Sequence, residues 1–185
     1  MPLERAWAQV FREGGARVVE NQLFREVGLP NVLPSDQRRL EVVAYGLPLH
    51  GGLPLCVDAT LVSALTGDGH PHHAEAGRAF LEAEKTKART YPELAEGTHA
   101  KLLVVGHEVG GRWSEQAAQT LRKLAAHKVQ EAPLMLRGSL EPALIARWSS
   151  LVSVAAQSAY AASLSAVGVR GGASAAGSLV SWGEL

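Results

Sequence analysis

Apolar and charged residues alternate at helical spacing in the first segment of the chain, Leu3–Glu13. Spacings of three and four residues place the apolar side chains on one face of a helix. Gly14 and Gly15 follow the segment, and glycine commonly ends helices. The pattern predicts a short amphipathic helix, whose buried face consists of Ala6, Trp7, Val10 and Phe11.

Short apolar runs bounded by turn residues indicate β-strands later in the chain. Arg39–Gly46 and Leu55–Ser63 are two such runs, and the prolines and glycines between them predict an antiparallel hairpin. A brief strand is expected earlier, over Ala16–Glu20. In Lys101–Gly106 the apolar residues are continuous after the first position, which is typical of a strand buried on both faces.

Three further helices are predicted. The first spans Ala74–Tyr91 and is ended by Pro92, and the next begins after Ser114, whose side chain can cap its first turn. The last spans Leu140–Leu164. Residues 166–185 are rich in Gly, Ala and Ser and carry little apolar mass, so we expect a flexible tail there.

The predicted order is helix, strand, hairpin of two strands, helix, strand and two helices. This order gives a mixed β-sheet flanked by helices, of α/β or α+β class. The chain has 185 residues, of which 46% are apolar, and this is enough to bury the core of one domain. We expect that domain to span residues 1–165.

Composition limits the possible functions. Lys plus Arg and Asp plus Glu both number 18, so the formal net charge is zero and any nucleic-acid surface must be local. Cys56 is the single cysteine, which excludes an internal disulfide and a multi-cysteine zinc site, and its apolar neighbours predict a small core residue. Glu4 and Arg5 stand where a signal sequence is apolar, and no stretch approaches the roughly 20 apolar residues of a membrane span. We therefore expect an intracellular protein without a membrane partner.

Two acidic residues stand inside the predicted hairpin, Glu41 in its first strand and Asp58 in its second. Adjacent strands lie about 5 Å apart, so two acids at the same end of a hairpin can share a hard divalent cation such as Mg²⁺. Whether they face the same side depends on the register, which the sequence leaves open. The alternative is that each acid faces solvent or belongs to a structural ion pair.

The predicted helix before Pro92 adds a basic group. Phe80, Glu84, Lys87 and Tyr91 are spaced by four, three and four residues and therefore share one face. If this face lies on the sheet, Lys87 points toward the hairpin. A metal ion that activates water and a lysine that binds phosphate together can hydrolyse phosphodiesters. The alternative is a solvated lysine whose alkyl chain packs beside Tyr91.

Two further groups of residues suggest binding. Three histidines in one predicted loop can bind a transition metal, although exposed loop histidines without a ligand are the simpler interpretation. Several basic residues form a local DNA-binding face if they converge, and a solvated charged surface if they do not. The histidines are His70, His72 and His73, and the basic residues are Arg38, Arg39, Lys85, Lys87, Arg89 and Lys101.

The segments Asp58–Val62 (DATLV) and Lys87–Tyr91 (KARTY) resemble motifs of a known family. The similarity is to the restriction-like endonuclease domain of site-specific non-LTR retrotransposon polyproteins, dinoflagellate-type copies in particular. That family belongs to the PD-(D/E)XK superfamily and has an Asp-x-Thr-Val strand and a Lys-x-x-x-Tyr helix end. Leu103–Trp113 resembles the strand and glycine turn that follow, so the resemblance covers residues 15–125.

The resemblance implies a metal-dependent DNA endonuclease that nicks one strand, with a nuclear location. It implies that Asp58 and Glu41 bind Mg²⁺ or Mn²⁺, that Lys87 assists the water or the scissile phosphate, and that Tyr91 supports the site. The expected partners are DNA and the reverse transcriptase domain of the parent element. Leu40–Glu41 departs from the family's Pro-Asp, and Asp36, which follows a proline by two residues, is a weaker candidate for the same acid.

Three hypotheses follow for the function of the chain. It is an active endonuclease, a catalytically inactive remnant of one that retains at most DNA binding, or an unrelated α/β interaction module. The first two require Asp58 and Lys87 to meet beside a second acid. In the third, these charged side chains are solvated.

Overall fold

A computed structural model describes residues 2–30, 32–65, 70–71, 76–94 and 98–169. Within these ranges the chain forms one mixed four-stranded sheet and four α-helices, as the predicted fold class requires. The elements, in chain order, are α1 Pro2–Glu13, β1 Arg17–Leu23, β2 Arg39–Tyr45, β3 Leu55–Val62, α2 Arg78–Thr90, β4 Lys101–Glu108, α3 Glu115–Lys128 and α4 Leu134–Val169.

The strands lie side by side in the order of the sequence, β1-β2-β3-β4. β1 pairs with β2 and β2 with β3 in antiparallel orientation, which confirms the predicted hairpin. β3 and β4 are parallel, and α2 connects them across one face of the sheet. In the register of the central strands Val43 lies opposite Cys56, and Asp58 lies opposite Val104.

Apolar side chains form a cluster on each face of the sheet. The larger cluster lies under α1, α3 and α4 and includes Trp7, Leu103 and Trp148. The smaller one, on the α2 side, includes Cys56 and Tyr91. Cys56 is fully buried, as predicted for a core residue. β4 is buried on both faces, as its continuous apolar run predicts.

The first strand runs further than the sequence predicts. It was expected over Ala16–Glu20, but it covers Arg17–Leu23 because its end pairs with the start of β2, with Gln22 opposite Leu40. The pattern of residues 16–20 carries no information about that partner, since pairing is set between strands rather than within one.

The last helix is also longer than predicted. α4 begins at Leu134 instead of Leu140, directly after Pro133, and contains Pro142. A proline inside a helix loses one backbone hydrogen bond, and packing of the helix on α1 and α3 offsets that loss. The helix continues to Val169, into the predicted tail, whose residues 170–185 lie outside the described ranges. Among the described helices, none combines the length and the apolar composition that crossing a bilayer requires.

A glycine in β4 lets α2 lie close to the sheet. Phe80, in the first turn of α2, is buried over Gly106. A Cβ atom at Gly106 would lie 2.6 Å and 3.0 Å from two ring carbons of Phe80, well inside van der Waals contact. The missing side chain therefore sets how closely the helix approaches the strands.

We predict that Gly106→Ala destabilises the protein by about 1–3 kcal/mol, because the methyl group overpacks against a ring held between helix and sheet. Thermal unfolding measures the change. The matched control is Gly110→Ala, since a Cβ atom there meets nothing within 4 Å. Equal stability of both variants would contradict the close packing of Phe80 on β4.

Candidate active site

Asp58 is the centre of a small cluster of charged groups on the α2 face of the sheet. The residue is only 5% exposed. Its Oδ2 atom lies 2.8 Å from the Nζ atom of Lys87, and its Oδ1 atom accepts a hydrogen bond of 2.8 Å from the hydroxyl of Thr60. The structure thus brings together the strand aspartate and the helix lysine that the two motifs single out.

Burial explains why this aspartate needs a cation. An ionised carboxylate removed from water costs several kcal/mol unless a charge and hydrogen bonds compensate it. Lys87 supplies the charge, and its side chain is itself only 19% exposed. Burial alone would lower the pKa of Lys87, but the charge and hydrogen bond of Asp58 and the charge of Glu41 raise it above its ordinary value.

Glu41 lies beside Asp58 on the neighbouring strand. The paired positions of β2 and β3 end at Val42 and Val57, and Glu41 and Asp58 each lie one residue beyond that pair, so side-chain alternation puts both acids on the face of Val43 and Cys56. The Oε2 atom of Glu41 accepts the backbone N–H of Ala59 at 2.9 Å. The register that the sequence leaves open is therefore the one in which both acids share one side of the sheet.

Glu41 is the acid whose environment opposes ionisation most. Burial raises its pKa to about 8, and the negative charges of Asp58 and Glu4 act in the same direction, whereas the Ala59 N–H and Lys87 oppose them. Two carboxylates facing one ammonium leave an excess of negative charge when both are ionised. Such an excess suits a divalent cation.

Sequence reasoning missed two of these groups. Thr60 binds the aspartate from two residues along the same strand, and a hydroxyl in a strand gives no distinctive signal. Glu4 lies on α1, and nothing in its spacing along the chain connects it with the hairpin. The Asp-x-Thr pattern is the single feature of the sequence that points to Thr60.

Tyr91 supports the site from the end of α2. Its hydroxyl donates a hydrogen bond of 3.0 Å to the carbonyl of Arg39, two residues before Glu41, and its ring packs against Phe24. Burial raises the pKa of Tyr91, and the charge of Asp58 raises it further. The tyrosine thus joins the helix to the strand that carries the second acid.

The predicted helical stripe does face the sheet. Phe80 lies on β4, Lys87 contacts β3 and Tyr91 binds β2. Glu84, between Phe80 and Lys87 on that stripe, is half-buried, and burial raises the pKa of its carboxyl group. α2 therefore presents one face to three strands in succession, with Lys87 above the central hairpin.

Asp36, the weaker candidate for the first acid, is engaged elsewhere. Its carboxylate accepts hydrogen bonds from the side chain of Arg38, with Oδ2 at 2.6 Å from Nη2, and from the Arg38 backbone at 2.8 Å. The hydrogen bond from the Arg38 side chain holds the pKa of Asp36 below its ordinary value. Of the two candidates, Glu41 is the acid that lies beside Asp58.

The carboxylates of Glu41 and Asp58 are suitable ligands for one hard cation. The described residues contain no group of three or more His, Cys, Asp or Glu side chains arranged around a metal. Mg²⁺ is commonly held by one or two carboxylates, with water and substrate phosphate completing its shell, so Glu41 and Asp58 suffice for it. Burial raises the pKa of Cys56 to about 12, which disfavours the thiolate form that binds metals. His70 is exposed, and His72 and His73 lie outside the described residues.

The predicted basic face does not form as a whole. Arg38 binds Asp36 and Glu93, and Lys87 binds Asp58, so two of its six members are neutralised by carboxylates. Arg39 donates to the carbonyl of Asn21, and Lys101 is half-buried at the start of β4. Three members are exposed: Arg39 at the start of β2, and Lys85 and Arg89 together on α2.

We predict that Glu41 makes the metal-free protein progressively less stable than its Glu41→Gln variant as the pH rises from about 4.5 to about 8. The pKa of Glu41 is raised from 4.5 to about 8 by folding, so its stabilising contribution is complete below the lower value and lost through the upper one. Glu41→Gln keeps an oxygen for the Ala59 N–H but cannot ionise. At pH 9 in EDTA it should exceed the wild type in unfolding free energy by on the order of a few kcal/mol.

Chemical denaturation across this pH range measures the effect. Glu26→Gln, at an exposed position, is the matched control and should follow the wild type. A Glu41→Gln curve that runs parallel to the wild-type curve between pH 5 and pH 9 would show that Glu41 ionises freely.

Comparisons of the chain with protein-family models, with curated proteins and with solved structures gave no match. The family resemblance of the two motifs therefore stays a prediction.

Proposed function

We propose that this chain is a metal-dependent endonuclease that nicks one strand of DNA. The observation that carries the proposal is the contact of 2.8 Å between buried Asp58 and Lys87, with Glu41 of the next strand bound to the backbone N–H of Ala59, the residue after Asp58. Two carboxylates that hold a metal ion, with a lysine beside them, can carry out metal-assisted phosphodiester hydrolysis.

Each side chain has a distinct role in the proposed reaction. Glu41 and Asp58 would hold Mg²⁺ or Mn²⁺, and the bound ion would supply activation of water and neutralisation of charge on the phosphate. Lys87 uses one of its three N–H groups on Asp58, which leaves two for a phosphate oxygen or the attacking water. Tyr91 fixes the helix end that carries Lys87.

Two features support DNA as the substrate. The order of one helix, three strands, a helix and a strand is similar to the core of restriction-like endonucleases, and the Asp58 and Lys87 motifs occupy corresponding elements. Lys85 and Arg89 lie one helical turn apart on the exposed side of α2 and provide local positive charge despite the neutral total. We also propose that the protein acts in the nucleus and that its protein partner is the reverse transcriptase domain of the parent element.

A non-catalytic descendant of such a nuclease is the second candidate. The observation in its favour is that both oxygens of Asp58 already have protein partners, Lys87 and Thr60, so the cluster is stable as an ion pair without a metal. Glu41 also stands where the resembling family has aspartate. Only a cleavage assay separates this candidate from the active enzyme.

We predict that the wild-type protein nicks supercoiled plasmid in the presence of Mg²⁺ or Mn²⁺. Asp58→Asn and Lys87→Met should each lower the rate by about 100-fold or more, because each removes a charge that acts in the transition state. Conversion of supercoiled to open-circular DNA, followed on a gel with and without EDTA, measures the rate.

Lys123→Met is the matched control, since Lys123 is exposed on α3, on the face of the sheet away from α2. Thermal unfolding of every variant shows which of them are folded at the assay temperature, because breaking a buried ion pair costs about 3–5 kcal/mol. Equal nicking by the wild type, Asp58→Asn and Lys87→Met would reject the assigned site, whereas absence of nicking by the wild type would favour the inactive remnant.

We predict that Lys85→Gln and Arg89→Gln each weaken DNA binding in Ca²⁺ and lower the salt slope of log Kd by about 1, because each loses one phosphate contact. Fluorescence anisotropy with a labelled duplex at several salt concentrations measures this slope. The control is Lys123→Gln, on α3 at the opposite face of the sheet. A loss of affinity with Lys123→Gln alone would move the DNA surface to that face.

A further inference from the structure

We propose that Arg38 is a positioning residue, which holds the C-terminal end of α2, and with it Lys87, at the site. The proposal rests on the proposed function of Asp58 and Lys87. Arg38 lies directly before β2, three residues from Glu41, and it reaches across 52 residues of sequence to the end of α2. It thus connects the strand of one acid with the helix of the lysine.

The guanidinium group of Arg38 binds three acceptors at once. Its Nη1 atom donates to the carbonyl of Thr90 at 2.6 Å, its Nε and Nη2 atoms donate to Asp36, and both Nη atoms donate to Glu93. The two carboxylates come from opposite sides, one from the segment before β2 and one from the turn after α2. The planar fork of arginine allows this arrangement, and a lysine ammonium does not reproduce it.

The contact with Thr90 acts on the turn of the helix that carries Lys87. Thr90 is the last residue of α2, and carbonyl groups at a helix end have no partner within the helix. A cation there also complements the negative end of the helix dipole. Because Tyr91 donates its N–H to the carbonyl of Lys87, Arg38 binds the same final turn from which the lysine side chain extends.

Aromatic contacts fix the guanidinium from its faces. Its central carbon lies 4.5 Å from the ring centre of Phe24 and 5.7 Å from that of Tyr91. Tyr91 in turn binds the carbonyl of Arg39, the neighbour of Arg38. The end of α2 is therefore held at several points against the backbone of Arg38 and Arg39. These contacts restrict the positions that the Lys87 side chain can adopt.

These contacts leave Arg38 unable to serve as a DNA contact. Arginine has five N–H groups, and the hydrogen bonds to Asp36, Thr90 and Glu93 use all of them. Both carboxylates also neutralise its charge. Arg38 was one of six residues that would form a basic face if they converged, and its donors are instead all directed into the protein.

The test is a double-mutant cycle on plasmid nicking with Mg²⁺. Arg38→Ala should lower kcat by about 10-fold to 100-fold without changing KM for DNA, because a small displacement of a reacting group has effects of this size. In the Lys87→Met background, Arg38→Ala should cause no further loss of kcat. Independent losses in the double variant, or a raised KM with unchanged kcat, would overturn the proposal.

Two variants separate positioning from general stability. Arg147→Ala removes an ion pair with Glu13 that joins α4 to α1, far from the site, and should lower the melting temperature without changing kcat. Arg38→Lys keeps the positive charge but loses the fork, so it should behave as Arg38→Ala does and replaces it if the alanine variant is unfolded. A fall in kcat with Arg147→Ala equal to that with Arg38→Ala would overturn the proposal.

A readout independent of activity distinguishes failure of this inference from failure of the proposed function. Acylation of the Lys87 amine by a reagent in excess, followed by peptide mass spectrometry, should be several-fold faster in Arg38→Ala than in the wild type. Acylation of exposed Lys85 on the same helix is the internal reference. An unchanged rate at Lys87 would overturn the positioning role even if the wild type nicks DNA, and an inactive wild type leaves this comparison valid.

Discussion

A carboxylate that folding removes from water needs a compensating positive charge, and in this protein Lys87 supplies that charge to Asp58. The aspartate is 5% exposed, and the ammonium group lies 2.8 Å from one of its oxygens. Removal of either partner would leave an uncompensated charge in the interior, at a cost of about 3–5 kcal/mol. The ion pair therefore determines how α2 sits on the sheet, and it places Lys87 beside Glu41.

The topology of the sheet makes this meeting possible. β3 and β4 are parallel, so the chain must cross one face between them, and α2 is that connection. Gly106 lets the start of the helix approach β4 through Phe80, and Tyr91 ties its end to β2. A lysine one turn before that end is thereby directed at the hairpin, where the antiparallel register brings the two acids to one side. The polar cluster thus follows from the same contacts that close the smaller apolar cluster.

The sequence predicted the elements of the fold and half of the site, for identifiable reasons. Spacing along a single helix places Lys87 on the face that lies on the sheet, and the apolar run of β3 marks Asp58 as an acid among buried residues. The position of Glu41 depends on register, which is a relation between two strands, and Arg38 depends on contacts over 52 residues. Neither the register nor the long-range contact produces a regular pattern of residues in the sequence. Counting basic residues likewise left open whether Arg38 belongs to a DNA-binding face, because a count does not include the acids that surround a residue in the fold.

The central claim is that Glu41 and Asp58 together hold a divalent cation against the phosphate backbone. Crystals of the wild-type protein soaked in Mn²⁺, with anomalous diffraction data collected at the manganese edge, test it most directly. The account predicts a single strong anomalous peak within about 2.0–2.6 Å of one oxygen from each carboxylate, a range typical of hard cations on carboxylate ligands, and no such peak in Asp58→Asn. A manganese peak elsewhere, or none between these two side chains, would contradict it.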